Sequence, residues 1–204
     1  MKTRIITLIT LLTIVLSVSV SSAATLKNDN GVQTPVVVAT NNINKIEASG
    51  NVEVYVTNGD KDQVKVYDKY YAQNAFVQDK DGVLRIASYN AEKLVVLVTV
   101  TDLHAITASD NAAIKSFGRL SLTDFNLVLN NRASAQLKID AIAAKVTLNN
   151  RSTADISGSV IDYESAFSQS STLNKSNLTA VNSVEKNTTK AAAATQAEEK
   201  VASL

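Results

Sequence analysis

The segments Leu129-Asn130-Asn131-Arg132-Ala133 and Leu148-Asn149-Asn150-Arg151-Ser152 differ only in their last residue. Degenerate copies stand on either side of them, at Ala108-Ser109-Asp110-Asn111-Ala112 and Phe167-Ser168-Gln169-Ser170-Ser171. The copies recur every 19 to 21 residues, a period typical of stacked structural units. The repeat therefore predicts an architecture before it predicts an activity.

Apolar and polar residues alternate before each of these segments, as at Phe125, Leu127 and Leu129, which indicates half-buried strands. One copy later Val146 and Leu148 take the corresponding positions. Such in-register columns predict parallel strands about 4.8 Å apart, with amide ladders between the Asn side chains of successive copies. Asn can also adopt the left-handed backbone conformation that a tight corner needs.

The N-terminal half contains further short strands between turn signals. The segments Asn58-Gly59-Asp60 and Asp79-Lys80-Asp81-Gly82 are typical of hairpin corners, and the run 94–98 is apolar on both faces, as in a central strand. We therefore predict an all-β protein: a right-handed β-helix or β-solenoid, with parallel coils of about 19–21 residues in the C-terminal half and antiparallel strands in the N-terminal half. An antiparallel sandwich is the alternative, because Asn-rich turns occur in any all-β protein.

The two ends of the chain have different compositions from the middle. Lys2 and Arg4 precede an apolar run that ends in small residues, so we predict a signal peptide at residues 1–24. Residues 25–190 are predicted to form a single β-helical domain. Residues 191–204 are Ala-rich and lack alternation, which predicts a tail or a short capping helix.

Composition excludes several classes of function. The chain has no cysteine, so disulfides, thiolate metal sites and a lipid-modified N-terminal Cys are ruled out. Its 20 basic and 19 acidic residues give no electrostatic footprint for nucleic acid. After signal cleavage we expect no membrane span, and we expect no cofactor and no metal.

Three features of the sequence together resemble a known family. The segment Ala48-Ser49-Gly50-Asn51-Val52-Glu53-Val54, the segment Asp81-Gly82-Val83-Leu84-Arg85-Ile86 and the later repeats are similar to the GIN domain, an auto-transporter adhesin head of secreted proteins in Gram-negative bacteria. The resemblance covers roughly residues 36 to 180 at the level of pattern. Where the family has Gly-Ser-Gly at its corners, this chain retains Gly50 and elsewhere has Asp-Asn or Asn-Asn. The resemblance implies an exported, non-enzymatic β-helical protein, and it supplies no catalytic residues.

The residues themselves give little support for catalysis. The single histidine, His104, has Asp102 two residues upstream, but no nucleophile elbow accompanies them, so we interpret it as a partly exposed strand residue. A polysaccharide lyase or hydrolase needs clustered carboxylates, and the aspartates of the repeats fall at different places in the coil: Asp110, Asp124, Asp140, Asp155 and Asp162. The pairs Asp60/Asp62 and Asp79/Asp81 lack the remaining ligands of a calcium loop. No catalytic residue is predicted.

Binding residues are better candidates. Arg132 and Arg151 occupy equivalent corners, where an anionic glycan or phosphate could bridge them; two solvated side chains, with Asp140 or Asp155 as partners, are the alternative. Tyr67, Tyr70 and Tyr71 form an aromatic cluster that could stack on sugar rings or simply cover the outer face of a sheet.

The sequence thus predicts an exported binding or adhesion protein of a Gram-negative bacterium, in the periplasm, at the cell surface or outside the cell. Its partner would be a glycan or another surface molecule. A structural protein that self-assembles into homo-oligomers is the alternative, because open strand edges recruit partners.

Overall fold

The computed structural model describes residues 36–38, 40, 42–67 and 75–188. The predicted signal peptide, Tyr70, Tyr71 and the Ala-rich C-terminal segment lie outside these residues. The described part consists of strands and turns, and none of its segments is a helix able to cross a membrane. Its strands are β1 (Val36–Val38), β2 (Lys45–Gly50), β3 (Val52–Asn58), β4 (Gln63–Tyr67), β5 (Ala75–Lys80), β6 (Val83–Ser88), β7 (Leu94–Val100), β8 (Ala105–Ser109), β9 (Ala113–Ser116), β10 (Leu120–Leu129), β11 (Ser134–Leu148), β12 (Thr153–Ser168), β13 (Thr172–Asn174) and β14 (Leu178–Thr188).

All of these strands belong to one mixed sheet. The order along it is β1-β4-β7-β3-β9-β11-β10-β8-β2-β6-β5, and β12 then joins β11 to β13 and β14. The long strand β11 pairs with β9 through its first residues and with β10 from Ile139 onward, so it bends and carries the sheet around a single buried core. The sheet is consequently a nearly closed mixed barrel.

The predicted right-handed β-helix or β-solenoid is therefore wrong as a description of the fold. The prediction separated a parallel C-terminal stack from an antiparallel N-terminal half, whereas β2 pairs in parallel with β8 and β3 pairs in parallel with β9. The antiparallel pairs among the described strands are β1 with β4, β4 with β7, and β5 with β6. The repeats set the pairing register between strands of successive copies. They do not determine which N-terminal strands continue the sheet.

Two turn predictions in the N-terminal half had different outcomes. The hairpin between β5 and β6 is confirmed, with Asp81 and Gly82 both at positive φ. The corner after Asn58 is not a hairpin, because β3 and β4 do not pair with each other but lie on opposite sides of β7. This arrangement makes β7 a central strand, as its two apolar faces predicted.

The pairing between repeats follows the register predicted from the sequence. Leu129 is opposite Leu148, which is opposite Phe167, across three parallel strands. Leu129 and Leu148 are fully buried in the core. On the other face of the same strands the polar residues of the alternation point outward.

Asp62 connects three parts of the chain by hydrogen bonds. One carboxylate oxygen accepts from the backbone N–H of Ile43 at 2.6 Å, and the other accepts from the N–H and the hydroxyl of Thr101 at 2.7 and 3.0 Å. The sequence showed Asp62 only as one of a pair of aspartates that lacks the remaining ligands of a calcium loop. Asp62 instead fixes the crossing from β3 to β4 against the start of β2 and the end of β7.

Replacing the buried Leu148 tests the core. Leu148→Ala should lower the free energy of unfolding by about 3 kcal/mol, because it removes buried methyl groups and leaves a cavity. Ile142→Ala on the same strand is the matched control, since Ile142 is 54% exposed, and its effect should stay within about 0.5 kcal/mol. Urea unfolding measures both variants, and equal effects would contradict the assigned core.

Candidate functional site

Four of the corners between strands share one backbone requirement. The third residue of the segment has positive φ there: 81° at Gly50, 61° at Asp110, and 60° at both Asn131 and Asn150, whereas Gln169 in the last copy does not. Only Gly, Asn and Asp adopt this region at low cost, because their side chains are absent or short and polar. The prediction that Asn takes the place of Gly at these corners is confirmed.

Side-chain amides join successive corners. Asn149 Nδ2 donates to Asn130 Oδ1 at 2.9 Å, and Asn150 Nδ2 donates to Asn131 Oδ1 at 3.1 Å, which confirms the predicted ladders. The ladder formed by Asn150 and Asn131, called the outer ladder here, continues from Asn131 Nδ2 to Asp110 Oδ1 at 2.9 Å. In the following repeat, hydroxyl groups take the place of amides, and Ser170 donates to the backbone carbonyl of Asn150.

Arg132 and Arg151 lie exposed beside this ladder on adjacent turns. The backbone N–H of Arg132 donates to the carbonyl of Asp110, and that of Arg151 donates to the carbonyl of Asn131, so equivalent bonds hold the two residues. Together with Asp110, Asn131, Asn150 and Ser170 they line one shallow depression. The repeat thus brings the two residues together as the sequence suggested.

The two guanidinium groups differ in their partners. Arg132 Nε donates to Asn111 Oδ1 at 3.0 Å. Among the described residues Arg151 has no side-chain partner. The carboxylates considered as partners lie elsewhere: Asp140 pairs with Arg119 at 2.7 Å, and Asp155 accepts from Asn174. Since Asp110 also lines the depression, the local positive charge is partly offset.

The tyrosine candidates are only partly covered by the structure. Tyr67 is half-buried on the outer face of β4, opposite Val95 of β7. Tyr55 has a similar outer position on β3, where its hydroxyl donates to Glu53 at 2.8 Å. Lys115 beside Glu53 lowers the pKa of that carboxyl to about 2. These contacts are those of tyrosines that cover an outer sheet face.

His104 has two carboxylate partners, of which the sequence indicated one. Its Nε2 lies 3.2 Å from Asp102, and its Nδ1 lies 3.1 Å from Asp124. Ala105 is opposite Asn126, so the register of the repeats brings Asp124 within reach of His104 and could have identified this partner. No three His, Asp or Glu side chains in the described ranges have the arrangement of a metal site, so the trio is a hydrogen-bonded cluster.

The titration of His104 gives a direct test of this cluster. Burial lowers the pKa of His104, but Asp102 and Asp124 outweigh it, so the pKa is raised above 6.5. The protonated form therefore stabilises the fold at low pH, and this contribution is lost as the pH rises through the folded-state pKa. In the double variant Asp102→Asn, Asp124→Asn, the NMR midpoint of the single histidine should fall. Asp162→Asn is the control, and an unchanged midpoint in the double variant would contradict the assigned contacts.

Comparisons with known proteins identify the family of this chain. The fold is similar to a "putative adhesin" from Parabacteroides merdae, at 15% identity and a TM-score of 0.54 over 79% of this chain and 80% of the other. It is also similar to a "putative adhesin" from Parabacteroides distasonis, at 18% identity and a TM-score of 0.51 over 76% and 77% of the two chains. No curated protein matches the sequence. The family model described as "Putative auto-transporter adhesin, head GIN domain" matches residues 42–203, and the chain therefore belongs to that family.

Proposed function

We propose that this protein is an exported, non-enzymatic binding protein of the bacterial envelope, with an acidic glycan as its ligand. Membership of a family described as adhesin heads supports a role in attachment. Export rests on the signal peptide predicted at residues 1–24, which lies outside the described residues. Periplasmic, surface and extracellular locations all agree with such a leader.

The observation that carries the proposal is the pair of arginines at neighbouring corners. Adjacent strands are about 4.8 Å apart, so like charges at one corner repel unless an anion bridges them. The Asn131 and Asn150 amides fix the backbone beneath both residues. Arg151 keeps all its guanidinium donors available, and planar guanidinium groups bind sulfate or carboxylate oxygens in bidentate fashion.

The surroundings of the aspartates favour binding over polysaccharide cleavage. Cleavage needs carboxylates that converge on one position, but each aspartate of the repeats contacts a different partner. The partners are Asn131 for Asp110, His104 for Asp124, Arg119 for Asp140, Asn174 for Asp155 and Asn182 for Asp162.

Charge removal at the corner tests the proposal. The double variant Arg132→Gln, Arg151→Gln should abolish binding of a dextran sulfate oligosaccharide, which offers sulfate groups and no uronic acid. Stability should change little, because exposed charges contribute only about 0–1 kcal/mol each. Lys61→Gln, Lys80→Gln is the matched control, since it removes two exposed charges elsewhere. Titration calorimetry measures binding. If both double variants lose the same affinity, net charge and not the corner accounts for the loss, which would contradict the proposal.

Self-assembly is the second candidate function, and the strand β14 is the observation that favours it. Within the described ranges β14 pairs only with β12, so one edge is open along its length. Val181 is 75% exposed and Val184 is 53% exposed on this strand. The segment 178–184 contains no charged residue, Gly or Pro, and such edges readily pair with another chain.

A charge on the edge strand tests self-assembly. If two copies pair through β14, the sedimentation coefficient should rise with protein concentration, and Val181→Lys should abolish that rise. Ile142→Lys is the control, because Ile142 is comparably exposed but lies on the inner strand β11. A parent protein of constant size over the whole concentration range would exclude this function.

A further inference from the structure

We infer that the protein has a second binding site, centred on Phe117 and Lys138, for a singly charged acidic saccharide such as a uronic acid. The saccharide ring would stack on Phe117, and its carboxylate would pair with Lys138. Phe117 lies on the turn between β9 and β10 and Lys138 lies on β11, so the site is separate from the corner of Arg132 and Arg151. The inference therefore does not depend on the function proposed for that corner.

The turn holds its aromatic side chain outward. Phe117 is 69% exposed, although its backbone N–H donates to the carbonyl of Val56 at 2.7 Å. The next residue, Gly118, has a φ of 85°, and no atom lies within 4 Å of the position that a Cβ would take. The anchored backbone thus presents the ring as a flat apolar surface on the outside of the protein.

Two adjoining depressions meet at Lys138 and Ser157, which line both of them, and Phe117 lines one of the two. One extends past Gln136 toward Tyr55, and the other extends toward Asn177. The groove is thus lined by amide and hydroxyl groups together with aromatic side chains. Saccharide recognition combines these groups, because a sugar has an apolar face and a rim of hydroxyl groups that donate and accept hydrogen bonds.

The ion pairs around the groove determine the charge of its ligand. Lys115 is paired with Glu53, and Arg119 is paired with Asp140. Lys138 has no ion pair among the described residues, while the hydroxyl of Ser116 accepts from its backbone N–H at 2.9 Å. One available cation matches one carboxylate, so the groove favours a uronic acid over a densely sulfated chain.

Gly158 lies within β12, between Ser157 and Ser159, and lines the groove together with Lys138 and Asn177. It has a φ of 112°, and a Cβ there would come within 2.0 Å of the carbonyl oxygen of Ile139. The absence of a side chain lets β11 and β12 approach closely. The floor of the groove is therefore backbone, flanked by two serine hydroxyls.

Titration of the ¹⁵N-labelled protein with a galacturonic acid trimer tests this site. The amide signals of residues 116–119 and 138 should shift on binding. Phe117→Ala and Lys138→Gln should each weaken affinity by about tenfold, the loss expected from one stacking contact or one charge-assisted hydrogen bond. Phe117→Tyr should retain most of the affinity because it keeps the ring.

Matched controls separate this site from the other one. Phe76→Ala and Lys61→Gln remove an exposed ring and an exposed charge elsewhere, and both should bind the trimer as the parent does. Because the corner of Arg132 and Arg151 can also bind carboxylates, the readout for the site proposed here is the set of shifts at residues 116–119 and 138, which should persist in the double variant Arg132→Gln, Arg151→Gln. The inference is overturned if the parent shows no shifts at residues 116–119, if Phe117→Ala binds like the parent, or if the arginine variant loses these shifts. Melting temperatures should be unchanged for all of these exposed substitutions.

Discussion

The left-handed residue at the corners that follow β2, β8, β10 and β11 is the constraint on which the structure depends. A side chain with a branched Cβ in this conformation would cost about 1–2 kcal/mol at every turn, and Gly50, Asp110, Asn131 and Asn150 avoid that cost. Asp110, Asn131 and Asn150 also carry polar side chains, and these hydrogen-bond to one another from corner to corner in the outer ladder. Backbone geometry and register are thus fixed by the same side chains. The register in turn aligns the buried leucines on one face and the paired arginines at the corner.

Local and repeated features could be predicted from the sequence, whereas long-range pairing could not. The corners, the amide ladders and the Leu129–Leu148 pairing each follow from residue types that recur at a fixed period. The pairing of Glu53 with Ala113 has no such signature, and neither does the placement of β3 and β4 on opposite sides of β7. Sheet order arises from these non-local contacts, so the predicted β-helix was wrong although its local register was right.

The same distinction applies to the candidate sites. Arg132 and Arg151 could be identified because both lie in the repeated motif. To identify Asp124 as a partner of His104, one would have to follow the register of the repeats to the neighbouring copy. Phe117 lies between repeats in a turn without an equivalent, and its exposure is decided by the bond from its backbone to Val56. No periodic pattern in the sequence marks such a residue.

Unpaired cations are informative on this surface because most charges near the sheet are paired. Glu53 alone contacts Lys93, Lys115 and the hydroxyl of Tyr55. Arg151 and Lys138 lack such partners among the described residues, and each lies in a depression that contains amide or hydroxyl groups. Solvated charges need no depression. The two proposed binding sites rest on these two unpaired cations.

The last strand limits how copies of this protein could associate. Where β12 places Tyr163 and Ser165 in the core, β14 places Ser183 and Glu185 at the same register positions. Lys175 pairs with Glu185 and lies 5.8 Å from the centre of the Tyr163 ring, whose burial raises its pKa to about 12. A further turn stacked on this end would have to bury Glu185, which is costly. Among the described residues the core therefore ends at β14, and association through this strand would use its uncharged first half, at the edge, instead of extending the core.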